Sequence, residues 1–202
     1  MGGHHDHDAP RLGRLFAWGI VLNLGFVGAE WVAGWTSGSL ALQADAGHNL
    51  SDVLGLVLAW TAHVLGRRKP CGTFTYGLGR TSILAALFNA LLLMAAVGAL
   101  AWEAVKRLTA PTPVATGIVM GMAGLGILIN AGTALLFMKG RRSDLNQRGA
   151  FLHMALDALV SLGVVIAGFL VARTGWIWLD PAVSLIIGGL ILWGTWGLLR
   201  EA

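Results

Sequence analysis

Six long apolar stretches, divided by short polar breaks, set the plan of this chain. They lie at roughly 12–35, 40–65, 79–105, 114–138, 147–172 and 177–198. Each is long enough, at about 1.5 Å per residue, to span about 30 Å of hydrocarbon as a helix. The breaks carry their own chemistry. Ser37-Gly38-Ser39 is a turn, Arg67-Arg68-Lys69-Pro70 punctuates the next break, and Thr109-Ala110-Pro111-Thr112-Pro113 stops the third helix. Ser143 and Asp144 are N-cap candidates for the fifth span. Asp180-Pro181 opens the sixth with a capping acid and a proline tolerated in a first turn. The pattern predicts an all-α membrane protein with six transmembrane helices. Residues 1–11 form a polar cytoplasmic tail, 12–202 form one bundle, and no C-terminal cytoplasmic domain is expected.

Composition supports the membrane reading. Charged residues make up only 12% of the chain, against about 25% in a soluble domain. A net charge of +4 could suggest nucleic acid, but its distribution points elsewhere. With a cytoplasmic N-terminus, eleven basic residues fall inside: Arg11, Arg14, Arg67, Arg68, Lys69, Arg80, Lys139, Arg141, Arg142, Arg148 and Arg200. Only Lys106, Arg107 and Arg173 fall outside. That asymmetry places both termini in the cytoplasm and makes the lipid bilayer, not nucleic acid, the partner of the basic surplus. The expected location is the bacterial cytoplasmic (inner) membrane.

Smaller signals agree. Nine tryptophans cluster largely near predicted helix ends, as in an interfacial aromatic belt. A single cysteine, Cys71, excludes an intramolecular disulfide or a multi-cysteine metal cluster. The polar, acidic start is unlike a cleavable signal peptide. Gly117 and Gly121, with Gly124 and Gly126 close behind, read as small residues for helix packing, with hinges as the alternative.

Two polar pairs interrupt the apolar runs: His48 with Asp52, and His153 with Asp157. Ionisable groups at such depth are costly, which makes them a functional hypothesis. Spacing of i to i+4 puts each pair on one helix face. The second span runs inward and the fifth outward. Counting about 1.5 Å per residue puts all four in one central slab, Asp52 level with His153 and His48 with Asp157. Two neutral imidazoles and two carboxylates form a plausible tetrahedral zinc site, formally neutral with a divalent ion. Without metal the carboxylates are expected to hold protons, so that metal binding expels them. The donor set suits zinc, cobalt or nickel, lacks thiolates for Cu(I), and points to Zn²⁺ first.

At these residues the chain resembles the cation diffusion facilitator family, specifically its zinc-transporting branch. The resemblance covers nearly everything after the first ten residues. It is carried by Ser37-Gly38-Ser39-Leu40-Ala41-Leu42, by Asp45-Ala46-Gly47-His48-Asn49-Leu50-Ser51-Asp52, and by Thr75-Tyr76-Gly77. Ile83-Leu84-Ala85-Ala86-Leu87, Asn89-Ala90, Asp144-Leu145-Asn146 and Arg148-Gly149-Ala150 continue it into His153 and Asp157. Thr174-Gly175-Trp176 and Asp180-Pro181 complete it. It implies six helices, Zn²⁺/proton antiport out of the cytoplasm by alternating access, and a homodimer, here through transmembrane helices. By motif match, His48, Asp52, His153 and Asp157 are the metal ligands, and Zn²⁺ is cargo rather than cofactor. Cd²⁺, Co²⁺ or Ni²⁺ are further candidate substrates.

Three departures stand out. The usual cytoplasmic domain after the sixth span is not seen before Ala202. The loop bearing Arg67, Arg68, Lys69 and Cys71 lacks the Asp/His site that some relatives carry there. Arg80 is followed by Thr81 and Ser82, where many relatives place an acid.

Weaker candidates surround the pairs. His4, His5 and His7, interleaved with Asp6 and Asp8, could capture zinc or form a solvated tail. Asp45 and Glu30 could relay protons or guide ions, or be paired or hydrated. Asn49 and Asn130 read as hydrogen-bonding support for ligands or as polar glue between helices. His63 reads as interfacial. Two rival functions remain. An intramembrane zinc-dependent hydrolase needs an open water position and a separate base, and the chain has no His-Glu-x-x-His signature. A non-transporting metal-binding membrane subunit predicts tight zinc and no flux. The leading expectation is a transporter and no enzyme.

Overall fold

The computed structural model describes residues 9–66, 79–138 and 145–201. Six helices follow in order: α1 Ala9–Ser37, α2 Leu40–Gly66, α3 Gly79–Thr109, α4 Thr116–Phe137, α5 Leu145–Thr174 and α6 Leu179–Glu201. No strand occurs among the described residues. The helices fall where the six apolar stretches were expected. His4, His5, His7, the 67–78 loop, Ser143 and Asp144 lie outside the described residues.

Helix ends follow from the turn residues. Gly38 adopts φ +72° just past α1, a conformation a side chain disfavours. Its N–H donates to Trp35 O, and Ser39 N–H donates to Gly34 O, the two bonds of a Schellman stop. Ser39 then starts α2, its hydroxyl accepting from Leu42 N–H at 3.1 Å. The remaining orphan amides of that helix turn to α6. Leu40 N–H and Ala41 N–H donate to the Asp180 carboxylate at 2.7 and 3.4 Å, and the Ser39 hydroxyl donates to it at 2.5 Å. Asp180 was expected to cap its own helix. It lies inside the first turn of α6, and its carboxylate reaches across to the start of α2 instead.

The Ser37–Ser39 turn is gripped on further sides. Arg107 of α3 donates to Gly38 O at 2.6 Å, and Ala115 N–H, just before α4, donates to Ser37 O at 2.8 Å. The connections at 37–39, 110–115 and 175–178 thus share one end of the bundle, referred to below as the turn end. Trp35, Trp102, Trp176 and Trp178 stand exposed near it, the last two stacked with centroids 6.3 Å apart.

The first turns of α2 run through the centre. Leu40, Ala41, Leu42, Ala44 and Ala46 are buried, and Ala41, Leu42 and Ala44 pack into one core with Val97, Val119, Ala123, Val164, Ile187 and Ile191. Bulky apolar side chains such as Leu22, Phe88, Leu128, Ile186 and Trp193 point outward. Small residues within and large apolar ones without are what a bilayer-facing bundle requires, because lipid rather than water covers the outer surface. Among the described residues, Leu87–Thr109, Thr116–Leu135 and Phe151–Thr174 are long and apolar enough to cross a membrane.

The glycine expectation is corrected in part. A Cβ on Gly117, Gly121 or Gly124 would meet nothing within 4 Å. Gly126 does mediate packing, its Cβ position lying 3.1 Å from Ser161 Oγ and 3.4 Å from Phe26 Cζ. The tightest approach is between α1 and α2 at Gly34, where a Cβ would sit 2.8 Å from Gln43 Cγ and 3.0 Å from Gln43 N.

Candidate metal site

Antiparallel α2 and α5 bring the two polar pairs together. Within each pair, one helical turn sets the separation: His48 Nε2 to Asp52 Oδ2 is 3.7 Å, and His153 Nε2 to Asp157 Oδ2 is 3.6 Å. Across the helices the distances are shorter. His48 Nε2 lies 3.3 Å from Asp157 Oδ1, and His153 Nε2 lies 3.4 Å from Asp52 Oδ2. The level pairing computed from helical rise is therefore the pairing observed.

These four distances have a chemical meaning. A tetrahedral ion with metal–ligand bonds of about 2.05 Å holds its ligands about 3.3 Å apart. Direct N–H···O bonds are shorter, near 2.9 Å. The imidazole–carboxylate edges match the first spacing better than the second. Asp52 Oδ2 is the shared atom: both imidazoles approach it, and it is buried with no hydrogen-bond partner. Asp157 instead offers Oδ1 to His48 and Oδ2 to His153. His48, Asp52 and Asp157 bring their donor atoms within 4.8 Å of one another. His153 borders this trio from one side without joining it at that spacing, its ring 6.2 Å from that of His48 and inclined by 76°.

Access to the four is uneven. Towards the turn end, His48 and Asp157 have side chains 24% and 4% exposed. Towards the opposite end, Asp52 and His153 are 29% and 42% exposed. Beyond His48 and Asp157, the layer of Leu42, Asp45, Ser161 and Val164 is sealed. The site is closed towards the turn end and more open away from it.

The accessory candidates separate clearly. Asp45 and Glu30 are buried rather than hydrated. Ser161 donates to Asp45 Oδ2 at 3.1 Å, and Asn49 donates to Glu30 Oε2 at 2.9 Å. Asn49 thus bridges α1 and α2. Asn130 is buried on α4. Ser161 did not emerge from the sequence, although it sits one turn beyond Asp157 on the same helix face. That spacing was the available signal.

The chain matches the family described as the cation efflux transmembrane domain over residues 17–202. It is 39% identical over 198 residues to the zinc transporter ZitB of Escherichia coli, covering 98% of this chain and 62% of that protein. It is 36% identical over 203 residues to the cation efflux system protein CzcD of an Alcaligenes species, covering 100% of this chain and 64% of that protein. A third relative, the cadmium, cobalt and zinc/H(+)-K(+) antiporter of Bacillus velezensis, is 34% identical over 194 residues, covering 95% of this chain and 62% of that protein. The chain thus spans about three-fifths of the length of these relatives. Its match across nearly all the described helices, together with the two levelled His/Asp pairs, places it plainly: the chain belongs to the cation efflux family, and the match is to that family's transmembrane domain.

Proposed function

We propose that this chain carries divalent metal, Zn²⁺ foremost, out of the cytoplasm in exchange for protons, with His48, Asp52, His153 and Asp157 as its ligands. The observation that carries this reading is the set of imidazole–carboxylate distances between 3.3 and 3.7 Å, close to the edges of a tetrahedral zinc site. Charge supports exchange. Two carboxylates neutralise one divalent ion, and the same oxygens hold protons when the ion leaves.

Alternating access gives the uneven exposure a role. The reading takes all six helices as spans, both termini as cytoplasmic and the turn end as external. The described conformation then faces the cytoplasm, with His153 and Asp52 meeting the incoming ion. His48 and Asp157 hold it against the sealed layer until the bundle opens the other way. The proposed setting is the bacterial inner membrane, as a homodimer joined through its helices. The zinc, cadmium, cobalt and H(+) in the names of relatives support the substrate range and the proton partner.

The hydrolase alternative loses ground. The relatives are transporters and efflux proteins, and a fourth protein ligand leaves no position for an attacking water. The test is zinc movement in proteoliposomes under an imposed pH gradient. Zinc should accumulate against the proton flow and stop when the gradient is collapsed. Zinc movement indifferent to the gradient would remove the antiport reading, and no zinc movement would remove transport.

A further inference from the structure

Beside the metal ligands lies a second pair of acids that metal chemistry does not use. Glu30 on α1 is 0% exposed and Asp45 on α2 is 1% exposed. Asn49, one turn from Asp45 on the same face of α2, hydrogen-bonds Glu30, so the packing of α1 on α2 makes the two acids neighbours. One oxygen of each is occupied: Asn49 donates to Glu30 Oε2, and Ser161 donates to Asp45 Oδ2. The other oxygen of each, Glu30 Oε1 and Asp45 Oδ1, is buried with no hydrogen-bond partner.

Two buried acceptors without a donor are costly, and two adjacent buried carboxylates are costlier still. Among the described residues, no basic side chain answers them. Among the described residues, the titratable groups nearest Asp45 besides Glu30 are acidic or imidazole, Asp157 from α5 and His48 on α2. Helix α4, which also packs on α1, carries no titratable side chain over Thr116–Phe137. Lys106 and Arg107 are engaged with Glu103 and the Gly38 carbonyl at the turn end.

We propose that Glu30 and Asp45 share one proton, forming an acid pair that is a proton-binding seat distinct from the four metal ligands. The proton supplies the donor that both carboxyl groups lack and lowers the buried charge of the pair from −2 to −1. Asn49 and Ser161 hold the outer oxygens, so the pair is positioned from α1, α2 and α5 at once. Asp45 belongs to the sealed layer on the turn side of His48. Opening of that end therefore exposes the pair to solvent and lets its O–H bond release the proton to water there. This deepens the antiport reading by giving the proton a place that the metal does not occupy.

Infrared difference spectroscopy of the full chain in lipid, metal-free and at neutral pH, tests the seat without any flux measurement. The wild type should show the carbonyl stretch of a buried protonated carboxyl, shifted in heavy water. That band should persist in the variant Asp52→Ala/Asp157→Ala, which lacks the ligand carboxyl groups, and vanish when Glu30→Gln/Asp45→Asn is added to it. Glu30→Gln alone replaces a protonated acid by a neutral isostere and should keep zinc affinity within about twofold of wild type. Absence of the band in Asp52→Ala/Asp157→Ala, or its survival when all four acids are replaced, overturns the proposal. A monovalent cation between two ionised carboxylates would give that absence. Since the readout needs neither metal nor transport, failure of the seat and failure of the transport reading are separable.

Discussion

His48 Nε2 on α2 and Asp157 Oδ1 on α5 stand 3.3 Å apart, closer than His48 stands to Asp52, its partner one turn along the same helix. The tightest contact in the site is thus between helices rather than within one. Asp157 is also the least exposed of the four, so no water replaces it easily when it is removed. Asp157→Ala should weaken zinc binding by at least about 100-fold, more than is usual for a residue that only supports a ligand. Titration calorimetry on the purified protein measures this directly. Affinity within a factor of ten of wild type would show that Asp157 is not a ligand.

Zinc affinity should fall as pH falls. Imidazole nitrogens and carboxylate oxygens bind metal only when deprotonated, so protons compete with the ion and each binding event releases them. Repeating the titration in buffers of different ionisation enthalpy counts the released protons. A Kd independent of pH, with no proton release, would exclude the exchange chemistry.

Asp180 caps a helix to which it does not belong. Removing its carboxylate leaves the Leu40 amide, the Ala41 amide and the Ser39 hydroxyl without their acceptor in a buried setting. Asp180→Ala should cost about 2 kcal/mol, the upper end for loss of an N-cap. Asp180→Asn, which keeps one oxygen, should cost less. Thermal unfolding in detergent should show Tm in the order wild type, Asn, Ala. Equal Tm values for all three would contradict the structural role.

Two glycines should respond in opposite ways. A methyl group at Gly34 collides with Gln43, so Gly34→Ala should destabilise by about 1–3 kcal/mol through forced separation of α1 and α2. Gly117 has open space, so Gly117→Ala should be neutral or mildly stabilising through better helix propensity. The same Tm measurement separates them, and a larger loss at Gly117 would reverse the packing assignment within the chain.

Much of this architecture is legible in the sequence because it depends on local rules. Apolar run length sets the helices, and Thr109 to Pro113 stops α3. The fixed rise of a helix is enough to level His48 with Asp157 and Asp52 with His153. The residues that escaped depend on neighbours distant in sequence. Nothing local tells Asp180 to cap α2 rather than α6, because both helix starts offer amides and only the packing of α6 decides. Gly117 and Gly121 show the spacing of a packing motif, yet the helix turns that face away from its neighbours in the chain. Glu30 and Asp45 were visible as acids within apolar spans, but their burial and their partners Asn49 and Ser161 come from the approach of α1, α2 and α5.

The central claim is that four side chains from α2 and α5 form one seat that zinc and protons occupy in turn. Its most direct test is simultaneous recording of zinc and proton movement in proteoliposomes containing wild type, His48→Ala, Asp52→Ala, His153→Ala or Asp157→Ala. The account predicts opposed, coupled zinc and proton fluxes in the wild type and loss of zinc flux in all four variants. Sustained coupled flux in any variant would contradict the four-ligand seat, and zinc flux without proton counterflow in the wild type would contradict the exchange.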